Sequence, residues 1–530
     1  MTSIQKEDLI KKISRLIIAD IKKGLVTNKQ ELRKAKIDYS RSYPLNGLIR
    51  TSSILMNLTQ KERENKKILS ILTRKPIRTI SGVAIVAVMC KPGECPGNCI
   101  YCPNKKEAPR SYTGKEPAAM RAAMYNYDPY EQTKNRIDVL EQIGHKTDKI
   151  ELIIMGGTFP SFDYTYQKNF IKSCFDAMNK KTSESLEKAH KINETAKHRN
   201  VALTIETRPD YATDKQIDNF LQFGATRIEL GVQAPSDRIY KEIERGHTLK
   251  TVIDATRNLK DAGYKICYHY MPGLAKTKEE DLKLFKSMFD NPDMRPDMLK
   301  IYPLLLIKDT KLYKEYKKGN FKPYSNEEAI EIIAEMKTLV PKYVRIMRIQ
   351  RDIPAGSIEE GVTYSNLREM IEKCLTNTNR RCNCIRCREA GHLIYKKDKK
   401  DIPTGAQLHF SNYTASGGTE YFISYEDKNQ EILYGYVRMR FPKDPKRPEI
   451  TKDSAIIREL KVVGTTTPIG AKEEDNIQHK GIGKMLMKEA EQIAKDKKKA
   501  KMVVISAVGT REYYKKLGYI RDGCYMSKIL

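Results

Sequence analysis

Several residue types and patterns are scarce or missing in this chain. Its 530 residues include no tryptophan, 8 histidines and 11 cysteines. No apolar run approaches the roughly 18 residues that a membrane-spanning helix needs, and the start, MTSIQKEDLIKK, lacks the apolar core of a signal peptide. We therefore expect a cytoplasmic protein with no membrane segment, in which cysteines serve metal or redox centres rather than disulfides.

Acidic residues are few relative to basic ones. The chain has 97 Lys and Arg against 67 Asp and Glu, a formal net charge of +30, which attracts a polyanion and repels a basic peptide. Residues 1–80 alone hold 19 basic and 7 acidic residues, with Tyr39, Arg41 and Tyr43 interleaved. Basic side chains beside stackable rings are typical of nucleic-acid platforms. The alternative is a charged helical face without a partner.

The order of apolar segments predicts the architecture. Residues 4–75 have apolar positions at helical spacing, with a break at Pro44. Short apolar strands then alternate with helix-like segments, which predicts a parallel sheet with right-handed crossovers, either doubly wound or a partial barrel. The predicted strands are 83–89, 149–155, 201–207, 226–232, 264–271, 297–304 and 343–349.

The ends of the first five predicted strands favour the barrel. Each is followed by unusual residues, and ligand sites in β/α barrels collect at the carboxyl ends of the strands. These loops are therefore expected to share one face. Their distinctive segments are 90–102, GGT at 156–158, ETRP at 206–209, Gln233 and MPG at 271–273.

Three cysteines lie within eight positions in CPGNCIYC, at Cys95, Cys99 and Cys102. Three thiolates can hold three corners of a 4Fe-4S cluster and leave the fourth iron open. This spacing after the first barrel strand, with an aromatic residue at Tyr101, is the signature of radical S-adenosylmethionine (SAM) enzymes. The alternative is a structural zinc site with Cys90 as its fourth ligand.

Resemblance to the radical SAM superfamily assigns further residues on the same face. Gly156 and Gly157 would present backbone groups to the methionine amine of SAM, because glycine allows so close an approach. Glu206 and Arg208 would hold the amino acid end or the ribose, with Gln233 nearby. Each of these residues alone also fits a structural ion pair or turn. The assignment therefore depends on their expected position on one face of the barrel.

A glycine motif near the C-terminus predicts a second binding site. QHKGIGKML, residues 478–486, matches the pyrophosphate loop of GNAT-type acetyltransferases, where amide donors at a helix start bind the anion of coenzyme A (CoA). The edge of the preceding strand, ELKVVG, could pair with the pantetheine arm. A plain glycine turn is the alternative. The expected contacts in the loop are Gln478, Lys480, Gly481, Ile482 and Gly483.

Two tyrosines and a long loop complete this predicted site. Tyr513 and Tyr514 occupy the place where GNAT enzymes often have a tyrosine near the thioester sulfur, as proton donor to the leaving thiolate. At least one of the pair is expected to pack in the core. Residues 464–478 form a long loop that could cover the thioester and prevent idle hydrolysis.

The two units together resemble one family. The chain resembles the catalytic subunit of Elongator, a family of tRNA wobble-uridine modifying acetyltransferases, in its single-chain archaeal form. The resemblance extends over nearly the whole chain. Its motifs are MCKPGECPGNCIYCPN, SYTGKEPAAMRA, YDPYEQ, IMGGTF, ETRPD, LGVQ, RELKVVG, QHKGIG and GTREYYKKLGY.

The resemblance implies a radical acyl transfer to tRNA. In the family's proposed mechanism the reduced cluster cleaves SAM, and the 5′-deoxyadenosyl radical takes a hydrogen from the methyl group of acetyl-CoA. The carbon radical adds to carbon 5 of the wobble uridine, which lies unpaired in the anticodon stem-loop. Hydrolysis of the thioester then leaves 5-carboxymethyluridine.

The resemblance also assigns residues. Cys95, Cys99 and Cys102 ligate the cluster, and Cys90 matches a family cysteine outside the ligand set. Lys149 matches a lysine that contacts acetyl-CoA between the two domains. With Tyr513 and Tyr514 it is a candidate catalytic residue. Further acetyl-CoA contacts are Glu459, Leu460, Lys461, Val462, Gly481, Ile482, Gly483 and Tyr513.

A second cysteine group predicts a zinc site. RCNCIRCREAGH places three thiolates, at Cys382, Cys384 and Cys387, in a basic segment. The fourth ligand stays open between His392, Cys374 and a residue distant in sequence. Residues 371–400 hold 9 basic and 3 acidic residues, which suits phosphate contact.

The predicted fold is an α/β multidomain chain. It comprises a basic helical tRNA-binding region (1–78), a partial (β/α) radical SAM barrel (79–355), a cysteine-rich zinc linker (356–404) and a GNAT-fold domain (405–530). The functional alternatives are a protein lysine acetyltransferase with a structural cluster, and a tRNA-binding scaffold with inactive sites. The sequence does not decide whether the chain forms a homodimer, or which electron donor reduces the cluster.

Overall fold

The structure, a computed structural model, describes most of the chain. The described residues are 3–43, 45, 47–73, 79, 82–397, 405–463 and 481–530. Within them, none of the helices combines the length and the apolar character needed to cross a bilayer. In chain order they form a helical region, a parallel sheet with surrounding helices, a cysteine-containing helical segment and a mixed sheet with two helices.

Five helices form the N-terminal region, and apolar residues such as Ile13, Ile17 and Leu55 pack into a core of their own. The predicted helical character of this region is confirmed over its described residues. The predicted break at Pro44 lies outside them. The helices are α1 (Ser3–Lys23), α2 (Lys29–Ser42), α3 (Thr51–Met56), α4 (Gln60–Glu64) and α5 (Lys66–Leu72).

Seven parallel strands follow, and their order in the sheet is their order in the chain. The first and last strands form the two edges, so the sheet is a partial barrel, as predicted. The strands are β1 (Ala84–Met89), β2 (Lys149–Met155), β3 (Arg199–Thr207), β4 (Arg227–Gln233), β5 (Lys265–Tyr270), β6 (Met298–Ile301) and β7 (Arg345–Ile349). The sixth strand ends before its predicted limit, because Pro303 has no N–H to continue the ladder.

Ten helices surround this sheet. Along β2 the side chains alternate, so Leu152 and Ile154 are buried towards the helices while Glu151 and Ile153 face the barrel interior. Many helices begin after a residue whose side chain caps the first turn, as at Asp163, Thr213 and Thr277. The helices are α6 (Pro117–Met124), α7 (Pro129–Gln142), α8 (Tyr164–Asn179), α9 (Leu186–Asn193), α10 (Asp214–Gln222), α11 (Asp237–Glu242), α12 (Leu249–Asp261), α13 (Lys278–Asp290), α14 (Lys311–Lys317) and α15 (Asn326–Thr338).

Three short helices join the barrel to the C-terminal domain. They are α16 (Leu367–Asn377), α17 (Ile385–Arg388) and α18 (Ala390–Lys397). The backbone N–H of Ile385 donates to the carbonyl of Val344 at 2.9 Å, which ties α17 to the start of β7. On the other side Arg388 forms a buried ion pair with Glu426 of the C-terminal sheet. The segment is therefore packed against both domains.

The C-terminal domain is a seven-stranded sheet in which one central pair is parallel. The order is β13-β14-β12-β11-β10-β9-β8, and only β11 and β12 run parallel within it. The elements are β8 (Gln407–Ala415), β9 (Gly418–Glu426), β10 (Leu433–Phe441), β11 (Ser454–Val462), α19 (Ile482–Asp496), β12 (Lys501–Val504), α20 (Arg511–Lys515), β13 (Ile520–Asp522) and β14 (Tyr525–Ile529).

The barrel and the C-terminal domain meet across a layer of buried ion pairs. The guanidinium of Arg458 donates to both carboxylate oxygens of Asp297, at 2.7 and 2.6 Å, and also reaches Glu420 at 2.8 Å. Arg440 lies 2.6 Å from Asp261 and 2.9 Å from Glu420. Buried charges are tolerated only when they are paired in this way. The layer therefore fixes how the second domain sits on the barrel.

Candidate active site

A cavity of about 690 Å³ lies at the carboxyl ends of the barrel strands. We call it the upper cavity. It collects residues from the loops that were predicted to share one face. The predicted site residues that line it are Cys95, Cys99, Cys102, Gly157, Glu206, Arg208 and Gln233.

The Gly156–Gly157 turn is closely packed beneath this cavity. Both glycines have positive φ, +118° and +76°. A Cβ on Gly156 would lie 2.5 Å from the sulfur of Cys90, whose thiol donates to the Gly156 carbonyl at 3.0 Å. Burial raises the pKa of Cys90 to about 12, so the thiol stays protonated. This geometry argues against Cys90 as a fourth metal ligand and makes it a support for the glycine turn.

The three cysteines of the loop have different surroundings. Cys102 lies 3.1 Å from the hydroxyl of Ser111, and Cys95 lies 3.6 Å from that of Thr158. Cys99 is buried and accepts a hydrogen bond from the guanidinium of Arg245 at 3.3 Å. The three sulfurs line one cavity but are not grouped as tightly as ligands of a single ion. Separate cysteines at separate irons fit a cubane cluster better than zinc.

The guanidinium of Arg245 lies below the cysteine loop, in the space left by the missing side chain of Gly231 in β4. A Cβ on Gly231 would lie 2.6 Å from this guanidinium, so the glycine makes room for it. The guanidinium also donates to the Gly231 carbonyl and contacts His247 at 3.2 Å. The sequence analysis did not identify Arg245. Its position two residues before His247 in ERGHT gives no periodic or motif signal of its own.

Arg208, the residue that follows β3, supports the same loop. Its guanidinium pairs with Asp210 at 2.9 Å and donates to the Arg245 carbonyl at 2.8 Å. A Cβ on Gly97 would lie 1.9 Å from its Nη1, which has no partner among the described residues. One N–H of this buried guanidinium is therefore available to a ligand. The side-chain oxygen of Gln233 also has no partner among the described residues and can accept a hydrogen bond from a ligand. The backbone of Gln233 has a φ of +67°.

A chain of charged side chains continues from Glu206 into the barrel interior. Lys300 donates to Glu206 at 2.8 Å and also pairs with Glu229. Arg227 contacts Glu229 at 3.2 Å and pairs with Glu151. Burial alone would raise the pKa of Glu229, but the Lys300 ammonium, the His269 hydrogen bond and the Arg227 guanidinium together hold that pKa well below its usual range. Glu229 is therefore ionised, and each of the three carboxyl groups has a cationic partner.

A second cavity of about 500 Å³ lies at the opposite ends of the strands, between the barrel and the C-terminal domain. We call it the lower cavity. Strand β11 pairs with β12 only from Ser454 to Ile457, and the two strands then diverge. The predicted acetyl-CoA edge, Glu459–Val462, follows this divergence and lines the cavity. An unpaired strand edge can bind an extended amide-containing arm.

The start of α19 lies beside this edge. Gly481 caps the helix with a φ of +78°, and a Cβ on Gly483 would lie 2.9 Å from the hydroxyl of Tyr513. Tyr513 is 39% exposed, whereas Tyr514 is 7% exposed and belongs to the domain core. Gln478, Lys480 and the loop 464–478 lie outside the described residues. Tyr513 is thus the tyrosine whose hydroxyl lies near the helix start.

Lysines from the barrel form the other wall of the lower cavity. Lys149 and Lys265 are the first residues of β2 and β5, and both line the cavity. Burial lowers the pKa of Lys149, and it lowers the pKa of Lys265 to about 8. Lys149 is therefore brought beside the C-terminal domain, where the resemblance expected it.

The two cavities approach each other inside the barrel. Glu151, Arg227 and Met347 line both of them. Both cavities are basic: nine cationic side chains and four carboxylates line the upper one, and eight and three line the lower one. Phosphate-bearing ligands match both surfaces.

The second cysteine group is compact, and its three cysteines line neither cavity, although Arg386 between them reaches the upper one. The sulfurs of Cys382, Cys384 and Cys387 all lie within 4.8 Å of one another, as ligands of one ion do. In the described chain neither open candidate joins them. His392 lies 3.6 Å from Glu389, and Cys374 contacts Arg380 at 3.8 Å. The three thiolates fit a single metal ion.

Models of four protein families match successive parts of the chain. They are the ELP3 N-terminal domain at residues 7–80, the radical SAM superfamily at 92–289, the radical SAM C-terminal domain at 296–377 and the acetyltransferase (GNAT) domain at 474–527. The predicted fold class, with a radical SAM partial barrel and a C-terminal GNAT domain, is confirmed. These families imply SAM, a 4Fe-4S cluster and acetyl-CoA.

Full-length relatives cover all of these regions. The chain is 50% identical to the tRNA uridine(34) acetyltransferase of Methanocaldococcus infernus over 99% of this chain and 100% of that one. It is 40% identical to Elongator complex protein 3 of Danio rerio, over 99% of each. A solved structure of archaeal Methanocaldococcus infernus Elp3 with N-terminus deletion is similar with a TM-score of 0.77 and 50% identity, over 85% of this chain and 100% of that one.

Proposed function

Since the chain belongs to the family of tRNA uridine(34) acetyltransferases and Elongator complex protein 3, we propose that it modifies the wobble uridine of tRNA. The reaction would replace the hydrogen on carbon 5 of the base by the methyl carbon of acetyl-CoA, with SAM as the oxidant that balances the new C–C bond, and hydrolysis of the thioester would then yield 5-carboxymethyluridine. SAM and a 4Fe-4S cluster would take part.

The observation that carries this proposal is the meeting of two cavities inside the barrel. The upper cavity has the three cysteines, and the lower cavity has the acetyltransferase edge, yet Glu151, Arg227 and Met347 line both. A lysine acetyltransferase would need no connection to a cysteine loop. A reaction that combines an acetyl group with radical chemistry needs both.

The upper cavity would bind the cluster and SAM. Cys95, Cys99 and Cys102 would ligate three irons, and the bound cluster with SAM would supply a carbon-centred radical able to activate a methyl group. Gly157, through its backbone, would bind the amino acid end of SAM. Polar atoms without partners are available for SAM at Arg208 and Gln233. Burial of this site excludes water from the reacting groups.

The lower cavity would bind acetyl-CoA. The amide groups at the start of α19, around Gly481 and Gly483, suit the pyrophosphate. The edge from Glu459 to Val462 suits the pantetheine arm, and Lys149 would contact the acyl end. Tyr513 would donate a proton to the CoA thiolate when the thioester is cleaved, because its hydroxyl lies beside the helix start.

Other parts of the chain would support this reaction. We propose the division 1–78, 79–355, 356–404 and 405–530. The first region would bind the anticodon stem-loop through its basic surface. Zinc at the second cysteine group would hold the segment between the domains, since α17 is tied to both. A reducing cytoplasm would keep all these thiols free for metals.

The test is anaerobic reconstitution with iron and sulfide, followed by addition of SAM, a reductant, acetyl-CoA and tRNA. We expect 5′-deoxyadenosine together with 5-carboxymethyluridine at the wobble position, measured by mass spectrometry of digested tRNA. A tRNA with another base at that position is the control. Acetylated lysine in a basic peptide, without 5′-deoxyadenosine, would instead support the lysine acetyltransferase alternative.

A further inference from the structure

A histidine and a glutamate form a hydrogen-bonded pair on the inner face of the barrel. His269 of β5 and Glu229 of the neighbouring β4 are joined by Nε2 and Oε2 at 2.8 Å. The Glu229 side chain is 0% exposed, and the His269 side chain is 14% exposed and lines the upper cavity. The arrangement is that of a base with a buried carboxylate behind it.

The surroundings determine the form of this histidine. Glu229 is ionised, because Lys300 and Arg227 both contact it. An ionised carboxylate only accepts hydrogen bonds, so Nε2 of His269 carries the proton and donates it. When Nε2 carries the only ring proton, Nδ1 is the nitrogen with the lone pair. The ring also packs edge-on against Tyr302, at 5.3 Å between centroids, which limits its orientation.

The pair lies between the two binding sites. Arg227, which contacts Glu229, lines both cavities. On β5 the side chains of Lys265, Cys267 and His269 follow one another along the inner face, from the lower cavity to the upper one. His269 therefore faces the upper cavity, at the end of the row that leads from the lower cavity, where the acyl group would meet the uridine.

The proposed function requires a second chemical step that needs a base. Once the methyl carbon has joined uridine, the product is still a thioester of CoA. Its hydrolysis forms a C–O bond from water and breaks the C–S bond. Water loses one proton and the CoA thiolate gains one, so no further reactant is needed.

We propose that His269, oriented by Glu229, is the general base that activates water for this hydrolysis. Nδ1 takes the proton from water as its oxygen attacks the thioester carbonyl, and Glu229 stabilises the imidazolium that forms. Tyr513 donates its proton to the CoA thiolate. The imidazolium of His269 then releases its proton to solvent, and Tyr513 takes one up from solvent. This inference rests on the proposed function and assigns a residue to its last step.

A metal site is the competing interpretation of the same residues. Ligand atoms of Glu229, Cys267 and His269 lie within 4.8 Å of one another. However, the Lys300 ammonium and the Arg227 guanidinium already contact Glu229 and would repel a cation. Burial also raises the pKa of Cys267 well above its usual range, which keeps it a protonated thiol. The local charge therefore favours a base over a metal.

The first test uses the full chain without its cluster and a synthetic CoA thioester of 5-carboxymethyluridine. We expect the wild type to release CoA and His269→Gln to do so about 100-fold more slowly, the usual contribution of a general base. His190→Gln is the matched control, because His190 is buried against Phe175 and lines neither cavity. Imidazole added to His269→Ala should restore release. Equal rates for wild type and His269→Gln would overturn the proposal.

The second test uses the reconstituted enzyme with tRNA. His269→Gln should still form 5′-deoxyadenosine, while a CoA thioester of the wobble uridine accumulates and is detected by its mass in digested tRNA. Parallel loss of 5′-deoxyadenosine and product would mean that His269 only shapes the site, which contradicts the proposal. If the wild type hydrolyses the synthetic thioester but never modifies tRNA, the proposed function is wrong while the role of His269 as a base still stands. Iron content and thermal unfolding verify the fold, and His269→Asn replaces any unfolded variant.

Discussion

The two ends of the barrel sheet are both basic, but they differ in the kind of charge that they carry. The upper cavity has eight arginines and one lysine, Lys300, which is paired with two carboxylates. The lower cavity has four arginines and four lysines. Arginine keeps its charge at any accessible pH, whereas a buried lysine can lose it. The positive charge of the upper end therefore changes little with pH. The positive charge of the lower end can fall when its buried lysines lose their protons.

The support of the two ends also differs. At the upper end, glycines at 97 and 231 admit the buried guanidiniums of Arg208 and Arg245 beneath the cysteine loop. At the lower end, the cavity is made by two domains and depends on how they are held together. We infer that the upper end is a rigid support for a cluster, whereas the lower end is an interface. The following experiments separate the two.

The largest expected effect is the loss of a cluster ligand at the upper end alone. Cys99→Ser should abolish iron incorporation and 5′-deoxyadenosine formation, because two thiolates do not retain the cluster. Acetyl-CoA binding at the lower end should stay unchanged by calorimetry. Cys524→Ser, which alters a half-buried cysteine far from the loop, is the control. Loss of acetyl-CoA affinity in Cys99→Ser would contradict the separation of the two ends.

The converse change affects the lower end alone. In Gly483→Val the new side chain would meet the Tyr513 hydroxyl, 2.9 Å from the Cβ position, and occupy the helix start. Acetyl-CoA affinity should fall about 30-fold, or ~2 kcal/mol. SAM cleavage at the upper end should persist. Gly356→Ala is the control, since a Cβ there meets nothing within 4 Å. Unchanged affinity would show that α19 does not bind the ligand.

A smaller change alters the reduction potential of the cluster at the upper end without removing a cysteine ligand. Arg245 donates a hydrogen bond to Cys99, and such bonds raise the reduction potential of a cluster. In Arg245→Met the ratio of reduced to oxidised cluster at a fixed potential should fall about tenfold. This corresponds to a midpoint potential ~59 mV lower for one electron. The measurement is a redox titration followed by electron paramagnetic resonance. Arg238→Met, at an exposed arginine, should leave the midpoint unchanged.

The smallest expected effect is a pH dependence confined to the lower end. The pKa of Lys265 is lowered to about 8 by burial, so its ammonium loses its proton as pH rises through 8. Affinity for the anionic acetyl-CoA should then weaken about threefold between pH 7 and pH 9, the size of one modest charge interaction. Lys265→Arg should abolish this change. A similar weakening of SAM binding at the upper end would argue against the comparison.

The sequence predicted the strands and the residues at their ends well. Strand β2 has the predicted bounds, and the cysteines, Glu206, Arg208 and Gln233 do line one cavity. These residues were found because strand ends and motifs leave local signals. Tyr513 and Tyr514 could not be separated by sequence, since adjacent residues on a short helix differ only in what surrounds them.

The interior chain of charges was missed, although a signal was present. Glu229, His269 and Lys300 each lie inside an otherwise apolar strand, and a charge in a buried strand has to be paired. Which strand supplies the partner depends on register, as in the alignment of His269 with Lys300. One sequence does not contain that information. The ion pairs between the domains were missed for the same reason, whereas Arg245 lies in a loop and left no signal.

The buried ion-pair layer between the domains makes the lower cavity dependent on both halves of the chain. If the C-terminal half were produced alone, Arg458 would lose Asp297 and Arg440 would lose Asp261, since both aspartates belong to the other half. Each arginine would keep Glu420 of its own domain and its freed side would be hydrated, so the fragment would lose the pairing across the interface. Splitting the gene would therefore open the lower cavity, because residues of both halves line it.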